Sequence, residues 1–223
     1  MNKMTLCVAL AAATALASPA HAGSPEGRWQ LKLLGTGVLV DGKITKVDKD
    51  AVGLPAGSQA DINDNAVPTV AVEWYATRNV SIETICCLTQ HHASGAGALA
   101  GAGLVDHVMI LPATVTVKYH LDAGPVNPYV GVGPRVFFFI DERPGATAAT
   151  FANRVRLDNR AGVALQAGLD IPVNSSGMGV SLDAKKYFIG TTAHFINAAG
   201  AEVLTTEHKL DPWVVSGGVY LRF

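Results

Sequence analysis

Eight stretches of this chain alternate apolar with polar residues, and the connections joining them run long, short, long, short, long, short, long. The stretches are Arg28 to Val40, Val67 to Ala76, Val80 to Leu88, Val108 to Leu121, Pro128 to Ile140, Leu157 to Leu169, Met178 to Phe188 and about Lys209 to Phe223. Thr77-Arg78-Asn79, Asp122 to Asn127 and Pro172 to Gly177 are the short joins. A period of two sets alternate side chains on opposite faces of a strand. A soluble sandwich shows the same alternation but has no reason to sort its loops by length. A barrel in the outer membrane does, with short periplasmic turns and longer external loops. The chain is therefore expected to be all-β, an eight-stranded antiparallel transmembrane β-barrel with four longer external loops. An even strand count returns both termini to the periplasm.

Composition agrees. Of 223 residues 49% are hydrophobic and 16% charged, where soluble domains average ~25% charged. Yet the longest uncharged stretch past the N-terminal segment, Thr84 to Val105, carries Gln90, His91, His92, Ser94 and four glycines, a poor bilayer helix. Hydrophobicity without apolar runs has to be spread by alternation. With 17 basic and 18 acidic residues, no basic balance points to nucleic acid.

The two ends fit the same address. Lys3, the apolar run Leu6 to Ala17 and the small-x-small site Ala20-His21-Ala22 read as a signal peptide over 1–22, leaving a single barrel domain over 23–223. At the other end Val219, Leu221 and Phe223 share one face. This ending resembles the C-terminal signal by which the assembly machinery recognises outer-membrane barrels.

The phase of each stretch assigns faces. Glu73, Glu83, Lys118, Arg160, Asp170, Asp183 and Lys185 fall on the inner one, where charges kept off lipid pair with one another. The run Val136-Phe137-Phe138-Phe139-Ile140 hides which face is which. Trp29, Tyr129, Tyr187 and Trp213 near strand ends read as interface anchors. Gly131 and Gly133 read as sites of close packing.

Few residues suggest chemistry. Cys86 and Cys87, as neighbours on a strand, point to opposite faces and give no ordinary disulfide framework. His91, His92 and His107 match no zinc spacing and read as solvated loop residues. His92-Ala93-Ser94 with Asp106 resembles the His-x-Ser pair of outer-membrane lipid A deacylases, where histidine serves as base and serine as nucleophile. Ser94, however, lies among Gly95, Ala96 and Gly97 in what reads as a mobile loop, and Gly95 replaces the asparagine that follows the serine there. No catalytic, metal or cofactor site is assigned.

Several motifs in order carry a wider resemblance. They are Asn79-Val80-Ser81-Ile82-Glu83, Asp106-His107 with Leu111-Pro112-Ala113-Thr114-Val115, Pro128-Tyr129-Val130-Gly131-Val132-Gly133, and Asp211-Pro212-Trp213-Val214 with Gly218 and Tyr220-Leu221-Arg222-Phe223. Together they are similar to the outer-membrane protein W family, with Ala113 in place of the family's second proline. The resemblance implies a narrow conduit or receptor passing small hydrophobic molecules across the outer membrane, leaving sideways through the wall, with outer-membrane lipid as its surroundings. It places the family's apolar constriction on Ile85, beside Glu83 and Glu73, and a second constriction position near Lys185. The alternatives are the deacylase-like enzyme and a structural or adhesive barrel without transport.

Overall fold

The computed structural model describes residues 23–121 and 123–223; the signal peptide expected over 1–22 lies outside them. The described residues form fourteen strands: β1 (Trp29–Leu39), β2 (Lys43–Asp50), β3 (Ser58–Ile62), β4 (Asn65–Tyr75), β5 (Val80–Cys86), β6 (Thr89–Gly97) and β7 (Gly103–His120), then β8 (Asn127–Pro144), β9 (Arg154–Leu157), β10 (Arg160–Pro172), β11 (Met178–Phe188), β12 (Gly190–Ile196), β13 (Glu202–Lys209) and β14 (Trp213–Arg222). Around a closed barrel run β1, β4, β5, β7, β8, β10, β11 and β14, each antiparallel to its neighbours. Closure comes from β14 pairing back onto β1, Gln30 opposite Arg222 and Leu39 opposite Trp213.

The wall obeys the alternation. Trp29, Leu33, Val115, Val117, Val132, Leu165, Leu182 and Val219 are exposed on the outside. Between them Gln30, Lys32, Thr116, Lys118, Gln166, Asp183 and Lys185 are buried in the lumen. Apolar outside and polar inside is the arrangement lipid requires. In the ambiguous fifth stretch the register settles the faces: Arg135, Phe137 and Phe139 point inward, and Phe138 and Ile140 outward.

Three expectations need correction. Tyr129 and Tyr187 are 2% and 1% exposed and stand in the lumen. Their parity, shared with Gly131 and with Lys185, overrides their position near strand ends; only Trp29 and Trp213 face out. Arg160 begins β10 but lies at the barrel's rim, exposed, donating to Thr192 Oγ1 at 2.9 Å. The sixth stretch begins there and not at Leu157, because Arg154–Leu157 pairs with β12. Asp158 N–H donates to Thr192 O, and Asn159 Oδ1 accepts from Phe139 N–H, which switches the chain onto β8.

The long connections are strands too. β2, β13, β12 and β9 form a four-stranded sheet beyond the barrel. β3 pairs with β6, so Ser94 sits on a strand opposite Asp61 and not in a loose loop. This folded end is the loop end; the three tight joins and both described termini mark the turn end.

Candidate functional site

The lumen has two storeys, and the inner face of β8 reads both in order: Tyr129, Gly131, Gly133, Arg135, Phe137, Phe139. The lower storey, toward the turn end, is polar. Lys118 Nζ donates to Glu73 Oε2 at 2.8 Å and to Glu83 Oε2 at 2.9 Å. Lys32 Nζ lies 3.0 Å from Glu73, 3.3 Å from Glu83 and 3.3 Å from Asp170. Lys185 reaches Glu83 at 3.1 Å and also pairs with Asp183. Gln166 Nε2 donates to Glu83 at 2.8 Å and to Asp183 at 2.6 Å, while its own carbonyl accepts from Thr116 at 2.7 Å. His120 and Ser81 close on Glu73, Tyr129 OH on Asp183, and Gln30 and Ser181 on Asp170.

Four carboxylates thus meet three lysines and a histidine, all nearly dry. Buried charge is costly unless it is paired and hydrogen-bonded on every side. This network is. The Tyr129 ring adds two cations over its faces, Lys118 at 3.7 Å and Lys32 at 5.0 Å from the centroid. Glycine makes the room: a β-carbon on Gly131 would stand 3.0 Å from Lys118 Cγ and 3.3 Å from Gln166 Oε1. Eight strands enclose little more than side chains, and here side chains fill the lower half.

The upper storey is apolar. Leu34, Ala71 and Ile85 pack together directly above the charges. Above them a narrow cavity of about 90 Å³ is walled by Val38, Ile85, Phe137, Phe139, Tyr187 and Val214, and it continues up to Phe195 and Leu204 of the outer sheet. Ile85, Glu83, Glu73 and Lys185 all face the lumen, but only Ile85 touches this cavity. The three charged residues belong to the network beneath it.

One stretch of wall beside the cavity is incomplete. Pairing of β5 with β7 ends at Ile85 opposite Thr114 and resumes in β6 with Thr89 opposite Ile110. Pairing of β5 with β4 ends at Cys86 opposite Val70. Cys87 and Leu88 therefore belong to no ladder, and Pro112 across from them has no N–H to give. Cys87 and Pro112 both line the cavity. The two cysteines are free, Cys86 exposed outward and Cys87 buried inward.

The remaining candidates do not converge. His91 is buried, its Nδ1 2.8 Å from Asn63 O, and not a solvated loop residue. His92 is exposed on the opposite side of the strand. His107 Nε2 lies 3.4 Å from Asp141. Among the described residues no hydrogen bond joins the His92 ring, the Ser94 hydroxyl and Asp106, and no group of three His, Cys, Asp or Glu could hold a metal.

The sequence reading missed Arg135. Its guanidinium is 1% exposed and lies between the rings of Phe137, 3.6 Å from the centroid, and Tyr187, 4.0 Å. Among the described residues Nε, Nη1 and Nη2 all lack a hydrogen-bond partner. Counting in twos from Tyr129 through Gly131 and Gly133 would have put it inside.

A family model described as the OmpW family matches residues 25–223. Outer membrane protein W of Vibrio cholerae is 28% identical over 97% of this chain and 98% of its own length. A Sinorhizobium fredii protein described as the uncharacterized outer-membrane protein y4mB is 31% identical over 96% of this chain and 90% of its own. The crystal structure of OprG from Pseudomonas aeruginosa superposes with a TM-score of 0.79 at 21% identity, covering 90% of this chain and 98% of OprG. AlkL, solved by solid-state NMR in lipid bilayers, gives 0.70 at 21% identity, covering 92% and 94%. At those identities the structural likeness speaks for the fold.

Proposed function

The chain belongs to the OmpW family and is an outer-membrane β-barrel, and from that footing we propose that it is a conduit for small hydrophobic molecules and not an enzyme. One observation carries the reading: an apolar cavity stands on a sealed polar floor and reaches the only stretch of β5–β6 that neither neighbour pairs. A hydrophobic solute enters at the loop end, which faces outward. It descends along Phe139 and Phe137 to the Leu34, Ala71 and Ile85 packing. Going straight on would force it between buried ion pairs, and breaking one of them costs ~3–5 kcal/mol. Exit beside Cys87 and Pro112 into the bilayer avoids that cost, because the solute passes from one apolar medium to another.

In this reading Ile85 is the constriction, and Glu73, Glu83 and Lys185 close the floor. Val219, Leu221 and Phe223, exposed on the outer face of the last strand, are what the assembly machinery reads. The leader over 1–22 delivers the 23–223 barrel domain, with both termini on the periplasmic side.

Liposome uptake of a hydrophobic fluorophore is the test. Ile85→Asp puts a charge in the apolar path, and uptake should fall by about tenfold or more. Unchanged uptake would favour a structural barrel. Loss of acyl chains from lipid A incubated with the purified protein would instead favour the enzyme.

A further inference from the structure

Arg135 occupies the boundary between the two storeys and is used by neither. The floor beneath it is already satisfied, since Lys185, Lys118 and Lys32 hold all four carboxylates. Among the described residues no carboxylate forms a salt bridge with Arg135. Asp211 is engaged by Lys209 Nζ at 3.0 Å and by Ile189 N–H at 2.7 Å. Phe137 and Tyr187, whose rings stand at 89° to each other, both lie against the guanidinium. Among the described residues none of its five N–H donors meets an acceptor.

A buried, unpaired cation is among the costliest groups a protein can keep. Here it lies directly under two rings that form part of the cavity wall. Resting on the conduit reading, we infer that Arg135 is the head-group anchor of an amphiphile site. The ligand carries one carboxylate, held by the guanidinium fork, and an apolar tail that lies up the cavity past Phe139. Entry of the head requires the Phe137 and Tyr187 rings to part, a movement of side chains alone. A planar two-oxygen anion matches the fork in a way a hydroxyl or ester does not. The selectivity therefore runs toward fatty-acid-like anions over neutral hydrocarbons of the same length.

Octanoate and its methyl ester separate the two ideas. Both are titrated calorimetrically, at about pH 8 where the acid is ionised, into the intact protein in phosphatidylcholine nanodiscs, with protein-free discs subtracted. Octanoate should bind about tenfold or more tightly than the ester, the ratio expected of one charge-assisted pair. Arg135→Gln should abolish the preference and keep ester binding; Arg135→Lys should keep part of it. Equal affinities in the unaltered protein overturn the anchor and leave the conduit standing. Binding of neither ligand counts against both. A preference that survives Arg135→Gln also overturns the assignment. Should Arg135→Gln fail to fold, the comparison in the unaltered protein and in Arg135→Lys decides.

Discussion

Gly168 and Tyr129 share one space: a β-carbon at 168 would stand 2.3 Å from the phenol oxygen that donates to Asp183. The two residues face each other across the β8–β10 ladder, so the absence of a side chain on one strand is what lets the ring on the other reach the floor network. Gly168→Val is expected to expel Tyr129, uncover Lys118 and cost about 1–3 kcal/mol. Urea unfolding in lipid vesicles, read by tryptophan emission, measures it. Gly35→Val serves as control, since a β-carbon there meets its nearest atom only at 3.9 Å.

Lys118 is shared by two acids. Lys118→Met leaves Glu73 and Glu83 with less counter-charge in a dry site, and stability should drop by roughly 3–5 kcal/mol. Adding Glu73→Gln to that change removes one of the uncompensated charges. The double variant should be more stable than Lys118→Met alone, a non-additivity that identifies a coupled network. Simple addition of the two single costs would argue against it.

Acid should loosen the sheet beyond the barrel. His208 on β13 lines the upper cavity, its Nε2 2.7 Å from Thr206 Oγ1, and burial holds its imidazole down at about 4. The unfolded chain takes up this proton near ~6.5. The contribution to stability is therefore complete above ~6.5, falls away as pH drops toward about 4, and then levels off. Near pH ~5 the loss should be roughly 1 kcal/mol after allowing for partial solvent access. Limited proteolysis at the loop end should accelerate between pH ~7 and ~5 and should do so much less in His208→Gln.

The gap in the wall predicts a pattern of amide exchange. Cys87 and Leu88 have no ladder partner, whereas Ser81 to Ile85 are paired on both sides. In bilayer-embedded protein the amides of 87 and 88 should exchange at least about tenfold faster than those of 82 to 84, because only closed hydrogen bonds protect. Equal protection across 81–88 would mean that the seam is sealed, which would remove the proposed exit.

The barrel was legible because lipid enforces a strict alternation and because Glu73, Glu83 and Lys185 have nowhere to go but inward. Arg135 escaped because Val136 to Ile140 are all apolar, and five such residues carry no phase of their own. Tyr129 and Tyr187 were misplaced for a related reason: an aromatic near a strand end suits the interface in general, and only counting from a neighbouring charge reveals the face. The outer sheet was hidden in stretches read as loops. Lys43–Asp50, with Lys46, Asp48 and Lys49, is too polar to announce a strand, and its pairing with β13 depends on residues some 160 positions away. Nothing in the sequence marks Cys87-Leu88 as unpaired except Pro112, far along the chain.

Strands β7 and β8 each run 18 residues. At ~3.4 Å per residue that is about 60 Å of chain, or about 45 Å of height at a tilt of ~40°, against an apolar girdle of ~25 Å. The doorway consequently stands some ~20 Å clear of the acyl chains. On the proposed conduit reading, a solute arriving from outside meets protein first and passes the polar head-group layer without ever dissolving in it.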